Sequence, residues 1–222
     1  MLTLKNIWAI IALTTVPVAS IISNAPIHVT AIMSIGIMFV LGIAFGNKHA
    51  NLLGALTAAG FGYLSYSQGL YGNAFVNWLF VIPMSLYGWW SWCQNDKNSG
   101  VAEKRKIDMA KFNWVILGTA TITAIVYLLI LSLPEGVVLF KAPIPIDSIL
   151  LDAVTTTLPV AATLLLVNSY REQWYLWVPY NLLEVVLWLL VYTTNPTLLP
   201  ILIMRIVFFV NSLIGTYEWN KK

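Results

Sequence analysis

Charged residues are scarce in this chain. Only 9% of its 222 residues are charged, whereas 59% are hydrophobic, and a water-soluble domain typically carries about 25% charge. A chain of this length cannot bury so much apolar surface in a soluble core. The composition therefore excludes a soluble globular protein and predicts an all-α membrane protein that has the lipid bilayer as its solvent.

Cysteine and histidine are also few. The single cysteine, Cys93, excludes an internal disulfide and a multi-cysteine metal site. His28 and His49 are too few and too far apart to indicate a metal centre. The chain has no phosphate-cradling glycine loop, no carboxylate pair on adjacent turns and no Cys/His nucleophile arrangement. We expect no enzyme, no cofactor and no metal, and the basic segment "NDKNSGVAEKRK" indicates membrane topology rather than a nucleic-acid partner.

Long apolar runs take up most of the sequence. Because a bilayer-spanning helix needs roughly 20 mostly apolar residues, we predict eight spans, separated by segments rich in Asn, Gly, Pro and Ser. Their ranges are 5–23, 29–46, 50–67, 74–92, 113–133, 148–168, 174–193 and 197–217. Pro17 interrupts the first, which either crosses the bilayer or lies along its surface. No small-residue cleavage site follows the apolar start, so we expect no cleaved signal peptide.

Basic residues are distributed unevenly around these spans. Of the twelve, Arg205 lies inside the last predicted span, Lys141 falls on one side of the membrane, and all the others fall on the opposite side. The positive-inside rule then places both termini and the 93–112 loop in the cytoplasm.

An aromatic motif occurs twice. "YGWWSW" places Gly88 four residues before Trp92, and "IGTYEW" places Gly215 four residues before Trp219, 127 residues later in each case. This shift superposes spans two to four on spans six to eight, and the fifth span is left between them as a linker that keeps the two units parallel. Parallel repeats of this kind are a transporter architecture, with the substrate held where the units meet. We predict an N-terminal helix (1–25), a first three-helix bundle (26–92), a loop and linker helix (93–147) and a second three-helix bundle (148–222).

The seventh span carries one unusual helical face. In "EQWYLWVPYNLLEVVLWL", Trp174, Trp177, Asn181, Glu184 and Trp188 follow one another at steps of three and four residues, which puts them on the same side of a helix. Such a face either fills a protein core or lines a ligand site. An aromatic face with an amide and a carboxylate suits a flat, polar and cationic ring.

Glu184 has two candidate partners. A carboxylate within a membrane helix costs several kcal/mol unless it faces a cavity or an opposite charge. It either meets a cationic substrate or forms a structural salt bridge with Arg205 of the eighth span, and the sequence favours neither.

Further candidate substrate-binding residues lie outside this face. Asp152 is about one turn inside the outer edge of the sixth span, and Thr156 follows it with a hydroxyl. Tyr87 belongs to the first aromatic motif. Asn77 belongs to a polar cluster that either lines the outer half of a route or forms a loop rim; its other members are Gln68, Tyr71, Asn73 and Trp78.

Two motifs carry a resemblance to a known family. "LYGWWSW" (86–92) is similar to a YGW-x-x-W-like end of a first bundle, and "YREQWYLWVPYN" (170–181) is similar to a Y-x-E-N-W-x-x-W-x-x-x-N pattern, with Asp152 a looser match. From about residue 40 onward the chain resembles the Pnu-type vitamin transporters.

The resemblance implies a SWEET-like fold of two three-helix bundles joined by a linker helix, assembled as a homotrimer in the bacterial inner membrane. It also implies facilitated diffusion of a vitamin precursor that cytoplasmic phosphorylation then traps. Trp174, Trp177 and Asn181 fall on the pattern's W, W and N and are expected to line the substrate site. Gln173 stands where the pattern has its first Asn, and Glu184 departs from the small polar residue expected there.

The best-known members of this family carry nicotinamide riboside, and an acidic Glu184 fits that cation. We therefore hypothesise nicotinamide riboside as the substrate. Thiamine, also an aromatic cation, or another vitamin or nucleoside is the alternative within the same fold. A SWEET-type sugar uniporter and a non-transporting membrane scaffold are the alternatives from other classes.

Overall fold

The computed structural model describes residues 4–67, 74–94, 103–131 and 148–221, and these segments are almost entirely helical. Along these described segments, eight α-helices follow one another: α1 (Leu4–Ser23), α2 (Ile27–Ala44), α3 (Ala50–Ser67), α4 (Ile82–Gln94), α5 (Met109–Leu131), α6 (Ser148–Val167), α7 (Trp174–Thr194) and α8 (Leu199–Asn220). A π-helical segment (Val76–Val81) leads into α4, and short 3₁₀ segments, Arg171–Gln173 and Pro196–Leu198, lead into α7 and α8. Each predicted span coincides with one of these helices, so hydropathy alone located all of them.

The π-helical segment is a departure from the continuous α-helix that hydropathy predicts. Pro83 lies just inside α4 and has no backbone N–H, so it cannot bond to the carbonyl four residues earlier. Immediately before it, the Ile82 N–H bonds instead to the carbonyl of Asn77, five residues back. The wider register therefore has a local cause in the proline.

Helices that are consecutive in the sequence pack against each other, and so do several that are far apart in the sequence. α3 packs against α2 and α4, and α7 packs against α6 and α8. These two sets meet where α2 packs against α8 and where α4 packs against α6. α5 packs along α6, and α1 packs against α2 and α8, where Ala12 and Val16 are fully buried.

One end of the molecule holds the ends of α2, α4, α6 and α8 together with the extended segment 103–108; we call it the linker end. There the Arg105 N–H donates to the Ser169 carbonyl over 2.8 Å, and the Arg171 N–H donates to the Arg105 carbonyl over 2.9 Å. Ser169 has a positive φ of 60°, which turns the chain tightly from α6 toward α7. The segment before α5 is thereby held against the α6–α7 turn.

The outside of the molecule is apolar. Large hydrophobic side chains are exposed along the outer helix faces, among them Ile21, Ile27, Leu79 and Trp114. By length and hydropathy alone, the stretches Asn6–Ser23, Ile27–Ala44 and Pro196–Asn220 of the described chain are able to cross a membrane. An exposed apolar surface of this extent matches lipid tails rather than water.

Candidate substrate-binding site

The face of α7 that the spacing predicted is turned inward. Trp174, Asn181, Glu184 and Trp188 are buried, and Trp177 is half-buried. Leu182 and Val186, which lie between them in the sequence, are exposed on the outer side of the helix, whereas Leu176 is also buried. The three- and four-residue spacing therefore does describe one buried face. We call its first half, with Trp174, Trp177 and Asn181, the inner part, and its second half, with the ionic Glu184 and with Trp188, the outer part.

The inner part of the face is built from rings. Trp174, the first residue of α7, packs edge-on against Trp219 at the end of α8, with ring centroids 6.1 Å apart at 70°. Trp177 packs edge-on against Tyr180 at 5.6 Å. The close approach of α8 depends on Gly215, because a Cβ there would overlap the Trp174 indole.

Several buried polar atoms on this face have no hydrogen-bond partner within the described chain. They are the Trp174 Nε1, the Asn181 Oδ1 and both amide atoms of Gln173. Buried polar groups are nearly always paired, so an indole donor and two amide groups here are suited to hydrogen-bonding a polar, planar molecule. Asn181 uses its Nδ2 on the Phe208 carbonyl of α8, at 3.4 Å.

Gln173 is a further candidate residue, which the helical spacing did not select. Its side chain is 0% exposed, yet the 3₁₀ turn Arg171–Gln173 takes it out of the α-helical register that relates the other five. The available signal was its position directly before Trp174 in the motif. From the sequence alone, a glutamine at the edge of a membrane span does not indicate whether it is buried; the 3₁₀ turn is what places this one in the protein interior.

The outer part of the face is an ion pair. The Arg205 guanidinium of α8 lies 3.1 Å from the Glu184 Oε2, and both side chains are 6% exposed. The Trp188 Nε1 donates to the same carboxylate oxygen over 3.1 Å. Arg205 also lies over the Phe61 ring of α3, 4.8 Å from its centroid. Of the two partners that the sequence left open for Glu184, the structure shows Arg205.

The other candidate residues lie apart from this face or outside the described side chains. Tyr87 is 43% exposed on the outer side of α4, where its ring packs against Trp90. Asn77 is half-buried in the π-helical segment. Asp152 and Thr156 belong to α6, but their side chains lie outside the described structure, as do Gln68, Tyr71 and Asn73 altogether.

The carboxylate of the second motif has a structural role. Glu172 is buried; its Oε2 accepts the Ile107 backbone N–H over 3.1 Å, and its Oε1 accepts the Arg171 Nε over 3.2 Å. Glu172 thus fixes segment 103–108 to the turn that leads into the aromatic face. Within the described residues, no group of three or more His, Cys, Asp or Glu side chains is placed to hold a metal ion.

The sequence model described as nicotinamide mononucleotide transporter matches residues 26–221. This chain belongs to that transporter family. Two relatives bear the name nicotinamide riboside transporter PnuC. The relative from Neisseria mucosa is 28% identical over 191 residues, which cover 84% of this chain and 69% of the relative. The relative from Haemophilus influenzae is 28% identical over 188 residues, covering 84% of this chain and 76% of the relative.

The fold is shared with a solved structure of a PnuC transporter. The crystal structure described as the vitamin B3 transporter PnuC superposes on this nicotinamide mononucleotide transporter family member with a TM-score of 0.80. The match covers 97% of this chain and 89% of that one at 23% identity. The resemblance to Pnu-type transporters is confirmed, and the chain is a multi-pass membrane protein of a transporter family.

Proposed function

We propose that this protein takes up nicotinamide riboside by facilitated diffusion, that cytoplasmic phosphorylation traps the substrate, and that the protein itself catalyses no reaction. The observation that carries the proposal is the inner part of the α7 face: two tryptophans beside the amide of Gln173 and the amide oxygen of Asn181, which have no hydrogen-bond partner within the described chain, in a family whose named relatives are nicotinamide riboside transporters. The indoles of Trp174 and Trp177 offer stacking and cation–π attraction to the pyridinium ring. The amides of Asn181 and Gln173 offer hydrogen bonds to the carboxamide and ribose hydroxyls.

Charge favours the riboside over the mononucleotide. Arg205, which contacts the α7 face from α8, is matched in charge by Glu184, and Arg171, two residues before Gln173, is matched by Glu172. A phosphate dianion at either arginine would lose its hydration and compete with the carboxylate already there, which is unfavourable in a low-dielectric interior. A nucleoside cation needs no such partner, because the aromatic faces and neutral amides accept it.

The architecture proposed for this activity is the SWEET-like arrangement of two parallel three-helix bundles. It is supported by the packing of α3 between α2 and α4 and of α7 between α6 and α8, with α5 as the linker and α1 added outside. We place the protein in the bacterial inner membrane with both termini in the cytoplasm, as the charge bias indicates, and as a homotrimer.

Calorimetric titration of the purified protein tests the proposal, with tryptophan fluorescence as a second signal. Nicotinamide riboside, nicotinamide mononucleotide, thiamine, riboflavin and deoxythymidine are titrated in parallel. We expect saturable binding and fluorescence quenching with nicotinamide riboside alone, and counterflow uptake of the same compound into proteoliposomes without an ion gradient. Binding of thiamine alone would move the substrate assignment to a different vitamin, and uptake that needs an imposed ion gradient would overturn facilitated diffusion.

A further inference from the structure

The two repeated tryptophans make hydrogen bonds that cross between the repeats. Trp92 at the end of α4 is 0% exposed, and its Nε1 donates over 3.0 Å to the carbonyl of Leu166 on α6. Trp219 at the end of α8 donates its Nε1 to the carbonyls of Ile43 and Ala44 on α2, over 3.2 Å and 3.0 Å. Each tryptophan therefore ends the third helix of its own unit and caps the last turn of the first helix of the other unit.

These bonds satisfy groups that a helix leaves open. The last four carbonyls of an α-helix have no intrahelical donor, and at the membrane boundary an indole N–H is an effective partner for them. Leu166 and Ile43 are each the residue before the last of their helices, α6 and α2. Each unit thus supplies a tryptophan N–H to the same position, the residue before the last, of the first helix of the other unit.

The crossed pair is in direct contact with the proposed site. The Trp92 and Trp219 rings lie 5.9 Å apart at 47°, and Trp219 also packs edge-on with Trp174 of the α7 face. Lys104 of the linker segment lies over Trp219, 5.8 Å from the ring centroid, and donates to the Glu218 carbonyl over 2.7 Å. The rings fill the space between the two units at the linker end.

We infer that Trp92 and Trp219 form a latch that closes the substrate route at the linker end, and that Trp219 is a positioning residue that holds Trp174 in place. The inference rests on the proposed transport function. Passage of a substrate between the units at this end requires the crossed bonds to open. Since Trp174 packs directly on Trp219, a ring stacked on Trp174 changes the packing of the latch.

The chain supplies its own reporter for this motion. Cys93 is its only cysteine, follows Trp92 directly and is partly buried. Its rate of reaction with a maleimide, measured on the purified protein without any substrate, reports how often the end of α4, where Trp92 bonds to α6, opens to solvent. This measurement is independent of which vitamin the protein binds, so failure of the proposed function leaves it interpretable.

The test compares three tryptophan-to-phenylalanine variants, each of which keeps an aromatic ring and removes the N–H donor. We expect W92F and W219F each to raise the Cys93 labelling rate about fivefold, the population change that loss of one net hydrogen bond produces. W90F is the matched control, because Trp90 lies on the same helix two residues away and is 53% exposed. It should leave the rate unchanged.

Equal labelling rates in all three variants and the parent would overturn the latch, as would an equal increase in W90F. If W92F does not give monodisperse protein, W219F carries the same prediction without altering the neighbour of Cys93. Loss of folded protein in both latch variants but not in W90F would mean that the crossed bonds maintain the fold rather than open, and would also overturn it. For the positioning role, W219F should weaken the binding of nicotinamide riboside in calorimetry together with the quenching of tryptophan fluorescence by that compound, and unchanged affinity and quenching would contradict it.

Discussion

Neutralising one member of the Glu184–Arg205 pair should destabilise the protein. Both side chains are almost fully buried and lie 3.1 Å apart, so E184Q leaves the guanidinium of Arg205 without a counter-charge in a low-dielectric interior. Removing one partner of such a pair costs about 3–5 kcal/mol. For a chain of this length, a loss of that size lowers Tm by about 6–20 °C.

The double variant E184Q/R205Q shows whether the loss of stability in E184Q comes from the unpaired charge of Arg205. It removes both charges, and the glutamine introduced in place of Glu184 keeps an acceptor for the Trp188 N–H, so we expect most of the lost Tm to return. The difference between the double variant and the sum of the two single variants gives the coupling between the charges. E103Q is the control, because Glu103 is an exposed carboxylate outside the helices, and we expect it to change Tm by less than about 2 °C.

Thermal unfolding in detergent, followed by tryptophan fluorescence, measures these shifts, and calorimetry measures the affinity for nicotinamide riboside. Because Glu184 is paired with Arg205, we expect the double variant to bind nicotinamide riboside within about threefold of the parent. An E184Q variant with unchanged Tm and at least tenfold weaker binding would refute the reasoning, because the carboxylate would then serve the substrate and not Arg205.

Three further substitutions test the surroundings of the site. N181A removes an amide from the α7 face and should weaken binding of nicotinamide riboside about tenfold in calorimetry while Tm changes little, since that amide makes one long protein contact; a large loss of Tm would mark it as structural. G215A places a methyl group in the indole packed against it and should cost about 1–3 kcal/mol in stability, whereas G118A, with nothing within 4 Å of its added Cβ, should be neutral in the same unfolding assay. E172Q weakens the charge-assisted bond to the Ile107 N–H and should speed limited proteolysis within segment 103–108 about tenfold; an unchanged cleavage rate would show that other contacts hold this segment.

Much of the fold was available from the sequence. Apolar runs about 20 residues long, with few charges, located each described helix. A helix that crosses lipid needs this length and hydropathy whichever helices are its neighbours. The three- and four-residue spacing likewise identified the buried face of α7, since helical geometry fixes which residues share a side. The π-helical segment was missed because its cause, Pro83, acts on hydrogen-bond register and leaves hydropathy unchanged.

The candidate site was predictable only in part, because spacing along the sequence identifies only those residues that share one regular helix. Trp174, Trp177 and Asn181 were found because they lie on one helix and follow its period. Gln173 was not, because it reaches the interior through a 3₁₀ turn that has no period to detect.

The sequence by itself determined the class of the protein, its helices and the face of α7 that points inward, since each depends on composition or on spacing within one segment. The tertiary structure alone decided which groups meet. Glu184 was equally compatible with a substrate cation and with Arg205 until α7 and α8 were placed side by side. The Trp92 bond to Leu166 joins residues 74 positions apart, and the Trp219 bond to Ile43 joins residues 176 apart. Pairings over such distances follow from how the units pack against each other, and no local pattern in the chain records them.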